Sequence, residues 1–169
     1  VVAARTSEGK TALMRMLWIA LADAAIPAAY ITLEDSEEEI VAGAAGAVSF
    51  LTSAGVLARS WGPDGRSEGE RVRDWFARLP LHVLHLPGAR PTQVAEAVRA
   101  QIVRHGARVV VVDYVQAIAH EGRENRATQV GQILGDLTRA AGRDAALVIG
   151  SQLVRKPKDQ RDSEPELEE

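Results

Sequence analysis

Several features are scarce or absent in this chain of 169 residues, and each excludes a class of protein or of binding site. It contains no cysteine, which excludes a disulfide framework and thiolate metal sites and fits a protein of the reducing cytoplasm. No apolar run is long enough to span a bilayer and no signal peptide is visible, so we expect no membrane association. The formal net charge of −3 argues against a uniformly basic nucleic-acid binder. Any such binding must come from local clusters of basic residues.

Aromatic residues make up only 4% of the chain, whereas hydrophobic residues make up 46% and are largely Ala, Val, Leu and Ile. This composition favours an α/β fold with helices packed on a buried sheet. Periodicity predicts strands at 28–33, 81–86, 109–113 and 146–150 and helices at 10–25, 36–55, 71–78, 91–105 and 128–141, the second helix opening with a capping box at 36–39. Strands alternating with helices predict a mostly parallel sheet, which binds ligands at the carboxyl ends of its strands.

A phosphate-binding loop stands almost at the start of the chain, where residues 9–11 read Gly-Lys-Thr. Glycine lets the backbone approach a phosphate, Lys10 neutralises its charge, and Thr11 offers a hydroxyl to Mg²⁺. The helix that follows places its positive end at the same spot. The alternative is a helix start that contains this tripeptide by chance. The residues expected to surround the nucleotide phosphates are Arg5, Ser7, Glu8, Gly9, Lys10 and Thr11.

Three of the predicted strands end in, or are followed by, polar residues that suit nucleotide hydrolysis. Asp113 follows four valines and suits the Mg²⁺ shell. Glu34 is expected at the tip of the strand beside the phosphate loop, where it would activate the attacking water. It could instead serve only the acidic start of the next helix. Gln152 could donate from its amide to the γ-phosphate, or be an ordinary strand-end amide. We therefore predict Lys10, Glu34 and Gln152 as catalytic residues.

The chain resembles the ATPase domain of bacterial replicative helicases of the DnaB type. The motifs that carry the resemblance are residues 3–11, Leu33-Glu34-Asp35-Ser36, Leu79-Pro80-Leu81-His82 with Pro87-Gly88, Val112-Asp113-Tyr114-Val115-Gln116, Glu124-Asn125-Arg126, and Gly150-Ser151-Gln152-Leu153. They occur in the family's order across essentially the whole chain. The sequence departs from the family at Thr6 and Glu8, where Pro and Met are common, and at Asp35.

The resemblance implies a RecA-like P-loop NTPase core that uses ATP and Mg²⁺ to move a homo-hexamer along single-stranded DNA, with a primase or loader as a possible partner. It also implies two DNA-binding loops, and the second has a local charge of +3. Such basic loops would grip the phosphate backbone without reading sequence. The residues concerned are Arg123, Glu124, Asn125 and Arg126 in the first loop, and Arg155, Lys156, Lys158 and Arg161 in the second.

Three alternatives stay open at this stage. A recombinase or a clock-type regulatory ATPase would share the phosphate loop and Asp113, and a non-catalytic module would use nucleotide only to assemble. We expect residues 1–169 to form a single RecA-like ATPase domain fragment, truncated at both ends. The N-terminal collar domain and the C-terminal strands are expected to lie outside this chain.

Overall fold

The computed structural model describes residues 1–4, 9–59, 65–118 and 125–152, and of Ala4 and Arg126 it describes only the backbone. The strands are β1 Val2–Ala4, β2 Ala28–Thr32, β3 Leu81–His85, β4 Val109–Asp113 and β5 Ala146–Gln152. The helices are α1 Lys10–Asp23, α2 Glu37–Ala47, α3 Ser53–Leu57, α4 Gly65–Phe76, α5 Pro91–His105 and α6 Arg126–Ala141, and a 3-10 turn spans Val115–Ala117. No helix among these residues is long and apolar enough to cross a membrane.

The five strands form one sheet in the order β1-β5-β4-β2-β3, and every neighbouring pair is parallel. Successive residues of a strand point to opposite faces, so β2, β4 and β5 each contribute to two cores. Ala29 and Ile31 lie in a core that α5 and α6 cover, whereas Tyr30 packs with Met14 and Trp18 of α1 on the other face. The predicted α/β architecture with a parallel sheet is confirmed.

The second predicted helix, 36–55, is divided in the structure. Its capping box is present, because Ser36 Oγ accepts from the Glu39 amide at 3.3 Å and the Ser36 amide donates to Glu39 Oε2 at 2.8 Å. After Ala47 the hydroxyl of Ser49 donates to the Ala45 carbonyl at 2.7 Å. Thr52 then caps α3 by accepting from the Gly55 amide at 3.0 Å. The hydroxyls thus bind a backbone carbonyl and a backbone amide that would bind other backbone groups in a continuous helix.

Helix α4 begins earlier than the predicted 71–78, at a glycine-rich stretch expected to be a loop. Gly65, Gly69 and Val72 are buried at spacings of four and three residues, which places them on one helical face. Glu68 and Arg71, one turn apart, form an ion pair with 2.6 Å between Oε2 and Nε. A buried face and this pair support a helix where composition favours a loop.

Candidate active site

The amino end of α1 is arranged to bind an anion. Gly9 precedes the helix with φ of +80°, in the left-handed region that glycine adopts without strain. No described side chain caps the first amides of α1, and its first turn holds no acidic residue. The amides and the helix dipole therefore favour a bound phosphate at this end.

Lys10, the first residue of α1, reaches across to the end of β4. Its Nζ lies 3.1 Å from Asp113 Oδ1 and 3.8 Å from the centroid of the Tyr114 ring. The lysine and aspartate side chains are only 10% and 5% exposed. Breaking such a buried pair by removing one partner costs about 3–5 kcal/mol. Lys10 is therefore held in place until another anion replaces the carboxylate.

The two oxygens of Asp113 have different surroundings. Oδ2 accepts a hydrogen bond of 2.7 Å from the hydroxyl of Tyr30, which is fully buried. Burial raises the pKa of that phenol and the neighbouring carboxylate raises it further, so Tyr30 stays a donor. Oδ1 faces Lys10, and no described residue gives it a well-aligned hydrogen bond. Mg²⁺ prefers oxygen ligands, and a buried carboxylate oxygen without a hydrogen-bond donor suits it. Thr11, next to Lys10 at the same helix end, offers a second oxygen.

Glu34 lies on the turn between β2 and α2, and its side chain is exposed. Tyr114 donates its hydroxyl to Glu34 Oε1 at 2.6 Å. The turn itself is fixed by Thr32, whose hydroxyl donates to the Asp35 carbonyl at 2.7 Å, and by an ion pair of 2.6 Å between Arg15 and Asp35. Asp35, where the sequence departs from the family pattern, is therefore paired with a basic residue of α1.

The expectation that the strand ending at Glu34 lies beside the phosphate-loop strand was wrong. Strands β5 and β4 lie between β1 and β2. The strand next to β1 is β5, in which Gln152 is in register with Ala4. Glu34 approaches the surroundings of Lys10 through Tyr114, which contacts both side chains. Sequence patterns indicate that strands are parallel, but they do not give the order in which strands pair.

Gln116, in the 3-10 turn after β4, binds the end of β5. Its Nε2 donates to Ser151 Oγ at 2.9 Å and to the Gln152 carbonyl at 3.0 Å. Its Oε1 accepts from the Gln152 amide at 2.9 Å. The residues after Asp113 are thereby joined to the strand that ends at Gln152.

Gly150 on β5 stands where the backbone closely approaches Asp113 and Met14. A Cβ at this position would lie 3.0 Å from both Asp113 Oδ1 and Met14 Sδ. The aspartate oxygen could yield only by leaving the position in which Tyr30 and Lys10 hold it. The absence of a side chain at residue 150 therefore helps to set the position of Asp113.

The structure brings together Gly9, Lys10, Thr11, Glu34, Asp113 and Gln152 at the carboxyl edge of the sheet and the amino end of α1. Of the residues predicted for a first DNA loop, Asn125 caps α6 by accepting from the Ala127 amide at 3.1 Å, and Arg126 begins the helix. The remaining predicted residues lie outside the described part of the chain: Arg5, Ser7, Glu8, Arg123, Glu124, Arg155, Lys156, Lys158 and Arg161.

Sequence reasoning missed three residues that shape this site. Tyr30 and Gly150 touch or closely face Asp113, and Gln116 binds Ser151 and Gln152. The tyrosine in a short, apolar strand was one signal, since a buried phenol needs a hydrogen-bond acceptor. Gln116 and Gly150 stood within the family motifs, but no role was assigned to them. The partner of Tyr30 depends on the pairing of β2 with β4, which sequence spacing does not reveal.

Solved structures share this fold. A DnaB-like replicative helicase, solved in a study of its interactions with primase, is 22% identical with a TM-score of 0.74, and the match covers 98% of this chain and 41% of that chain. A second solved structure, that of an ATPase domain, is 22% identical with a TM-score of 0.77, and the match covers 97% of this chain and 60% of that chain. The fold is therefore the RecA-like one of these ATPase domains, and the chain spans less than two thirds of either relative.

No curated protein matches the sequence. The profile of the family described as "DnaB-like helicase C terminal domain" matches residues 1–169, which is the whole chain. The match includes the residues of the site, from the phosphate-binding end of α1 to the end of β5. This chain therefore belongs to the family of DnaB-like helicase C-terminal domains.

Proposed function

We propose that this chain is the ATP-driven motor domain of a replicative DNA helicase, which couples ATP hydrolysis to translocation along single-stranded DNA. The observation that carries the proposal is the connected set of Lys10, Asp113, Tyr114 and Glu34. It joins the lysine of an anion-binding helix end to a buried carboxylate and to an exposed acid. Membership of the helicase family supports the same activity.

ATP would bind with its phosphates at the amino end of α1. Gly9 leaves the backbone open to the phosphates, and Lys10 exchanges its contact with Asp113 for one with phosphate oxygens. Thr11 and Asp113 would hold Mg²⁺, which neutralises phosphate charge when bound. Arg5, Ser7 and Glu8 are proposed to complete the loop.

Hydrolysis then depends on positioning an attacking water. Glu34 is the proposed base, because its exposed carboxylate is held by the Tyr114 hydroxyl at 2.6 Å beside the ring that carries Lys10. Gln152 ends the strand next to β1 and would donate its amide to the γ-phosphate. Lys10 would stabilise negative charge that develops on the transferred phosphoryl group.

DNA binding is proposed for two segments that follow the site strands. The first follows β4 and its 3-10 turn, and the second follows β5. We further propose a homo-hexamer, a cytoplasmic location, and a primase or loader as partner. Interaction with primase is described for one similar helicase. The proposed DNA contacts are Arg123, Glu124, Asn125, Arg126, Arg155, Lys156, Lys158 and Arg161.

A strand-displacement assay on the full-length protein tests this function. With ATP and Mg²⁺ it should separate a forked DNA duplex, and a non-hydrolysable ATP analogue should not support separation. Strand exchange without unwinding would instead identify a recombinase. ATP turnover with neither activity would identify a regulatory ATPase, and binding without turnover would identify an assembly module.

Replacing Arg123 and Arg126 together with alanine should weaken binding to single-stranded DNA of every sequence to a similar degree. The contacts are expected to be electrostatic, so log affinity falls with log salt by about 0.7 per phosphate contacted. The double variant should flatten that slope and lower DNA-stimulated ATPase. Fluorescence anisotropy of labelled oligonucleotides over a range of salt concentrations measures both affinity and slope.

A matched control removes two arginines from the opposite edge of the sheet. Arg104 lies in the last turn of α5 and Arg143 follows α6, and both are exposed. Their alanine double variant has the same change in net charge and should keep the wild-type slope. Wild-type affinity and slope in the Arg123/Arg126 variant would show that this loop is not the DNA contact.

A further inference from the structure

Tyr30 is a buried polar residue for which the proposed ATPase mechanism has no role so far. It lies in β2 with none of its surface exposed, and its ring packs edge-on against Trp18 with centroids 5.5 Å apart. Its neighbours on that face include Met14, Ile40 and Val111. Aliphatic side chains would fill this space without a polar atom, so the hydroxyl is the feature to be explained.

The hydroxyl has one described partner, Asp113 Oδ2, at 2.7 Å. We propose that Tyr30 is a positioning residue for Asp113: it engages one carboxylate oxygen and so aims the other at Lys10 and at the metal ion. This inference rests on the proposed function, because that function makes Asp113 a ligand of the metal ion bound with the nucleotide.

Three contacts restrict the carboxylate of Asp113. Tyr30 binds Oδ2, and Lys10 lies 3.1 Å from Oδ1. The backbone of Gly150 lies so near that a Cβ there would be 3.0 Å from Oδ1. Lys10 is expected to turn to the phosphates when nucleotide binds, whereas Tyr30 is anchored in the core. Tyr30 is therefore the contact that keeps Asp113 oriented while the site is loaded.

Hydrogen-bond partners behind a metal ligand orient it, and their loss typically lowers metal affinity by about 10–100-fold. Tyr30→Phe keeps the ring and removes only the hydroxyl. We expect the Mn²⁺ concentration that half-saturates the ADP-bound full-length protein to rise by roughly 10-fold. Mn²⁺ serves as the probe, and electron paramagnetic resonance of the free ion measures its binding. Affinity for ADP without metal should stay within about 2-fold of wild type, since the buried phenol hydroxyl is engaged by Asp113.

Trp18→Phe is the matched control. It also removes a buried hydrogen bond from the same cluster, the one that Trp18 Nε1 donates to the Ala28 carbonyl at 3.2 Å. This control should lose stability yet keep the Mn²⁺ midpoint of wild type. A general loosening of the cluster would move both variants alike and would overturn the proposal, as would an unchanged midpoint in Tyr30→Phe.

A second measurement requires no metal. Tyr30→Phe should lower the Tm of the wild-type protein, because it leaves Asp113 Oδ2 buried without a donor. On an Asp113→Ala background the same substitution should leave Tm unchanged or raise it, because the hydroxyl then has lost its partner. Equal losses on both backgrounds would overturn the inference.

The two proposals fail in different ways. If Tyr30 has no positioning role, the full-length protein still unwinds DNA while its Mn²⁺ midpoint is insensitive to Tyr30→Phe. If the proposed function is wrong, strand displacement is absent even in wild type. Failure of wild type to bind Mn²⁺ with ADP would overturn both.

Discussion

Replacing Lys10 with alanine should abolish nucleotide binding by the full-length protein. The ammonium is nearly buried at the amino end of α1, where the phosphates are expected to lie. Hydrogen bonds to charged groups contribute about 1.5–3 kcal/mol each, so losing two of them weakens binding by roughly 10²–10⁴-fold. The variant also leaves the Asp113 carboxylate without its counter-charge, which adds repulsion against phosphate. Titration with a fluorescent ATP analogue measures the loss.

Lys10→Met is the companion variant, since it keeps an unbranched apolar stem beside the Tyr114 ring and removes only the charge. Both variants should lose binding to a similar degree if the charge is what matters. Arg139→Ala, an exposed change on α6, controls for the lost positive charge. ATP affinity unchanged from wild type in Lys10→Ala would refute the assignment of the phosphate loop.

The second large effect is expected at Glu34. Glu34→Gln in the full-length protein should leave ATP binding intact and slow hydrolysis by roughly 10²-fold or more, as expected for the loss of a positioned base. Glutamine keeps the shape of the side chain, and its carbonyl oxygen can still accept from the Tyr114 hydroxyl. The geometry of the turn should therefore survive while the proton acceptor is lost. Single-turnover hydrolysis, measured beside binding of the fluorescent analogue, separates the two steps.

Glu38→Gln provides the control, because Glu38 is exposed in the first turn of α2 and lies outside the site contacts described above. Its turnover should match wild type. Near-normal turnover in Glu34→Gln would transfer the role of base to another acid, with Asp35 the first to test. The ion pair of Asp35 with Arg15 at 2.6 Å makes it the poorer base, since its carboxylate is already engaged.

The sequence allowed the elements of the sheet to be predicted because their signals are local. Four consecutive valines before Asp113 and a capping box at Ser36 depend only on neighbouring residues. Helix α4 was predicted to start six residues too late, because the buried glycines that define its inner face carry no hydrophobic signal. Tertiary packing, rather than propensity, determines that helix.

In the candidate site, too, the features that depend on local sequence were predictable and those that depend on tertiary packing were not. Lys10 and Asp113 were predictable, since their chemistry depends on residue type and on a strand or helix end. The place of Glu34 was not, because it depends on which strands are neighbours. Tyr30 and Gly150 act through contacts across strands or between a strand and α1, so no sequence spacing marks them. The sequence does not show which strands are neighbours or which of their residues lie opposite one another.

The side-chain amide of Gln116 takes the place that a peptide group of a neighbouring strand would have beside Gln152. It receives one hydrogen bond from that backbone and returns another, as in a ladder. With the bond to Ser151, separating the turn from the strand would break three hydrogen bonds, about 1.5–4.5 kcal/mol in all. We therefore expect the 3-10 turn and the end of β5 to shift as a unit, so that the two proposed DNA-binding segments that follow them would release DNA in a single stroke rather than in turn.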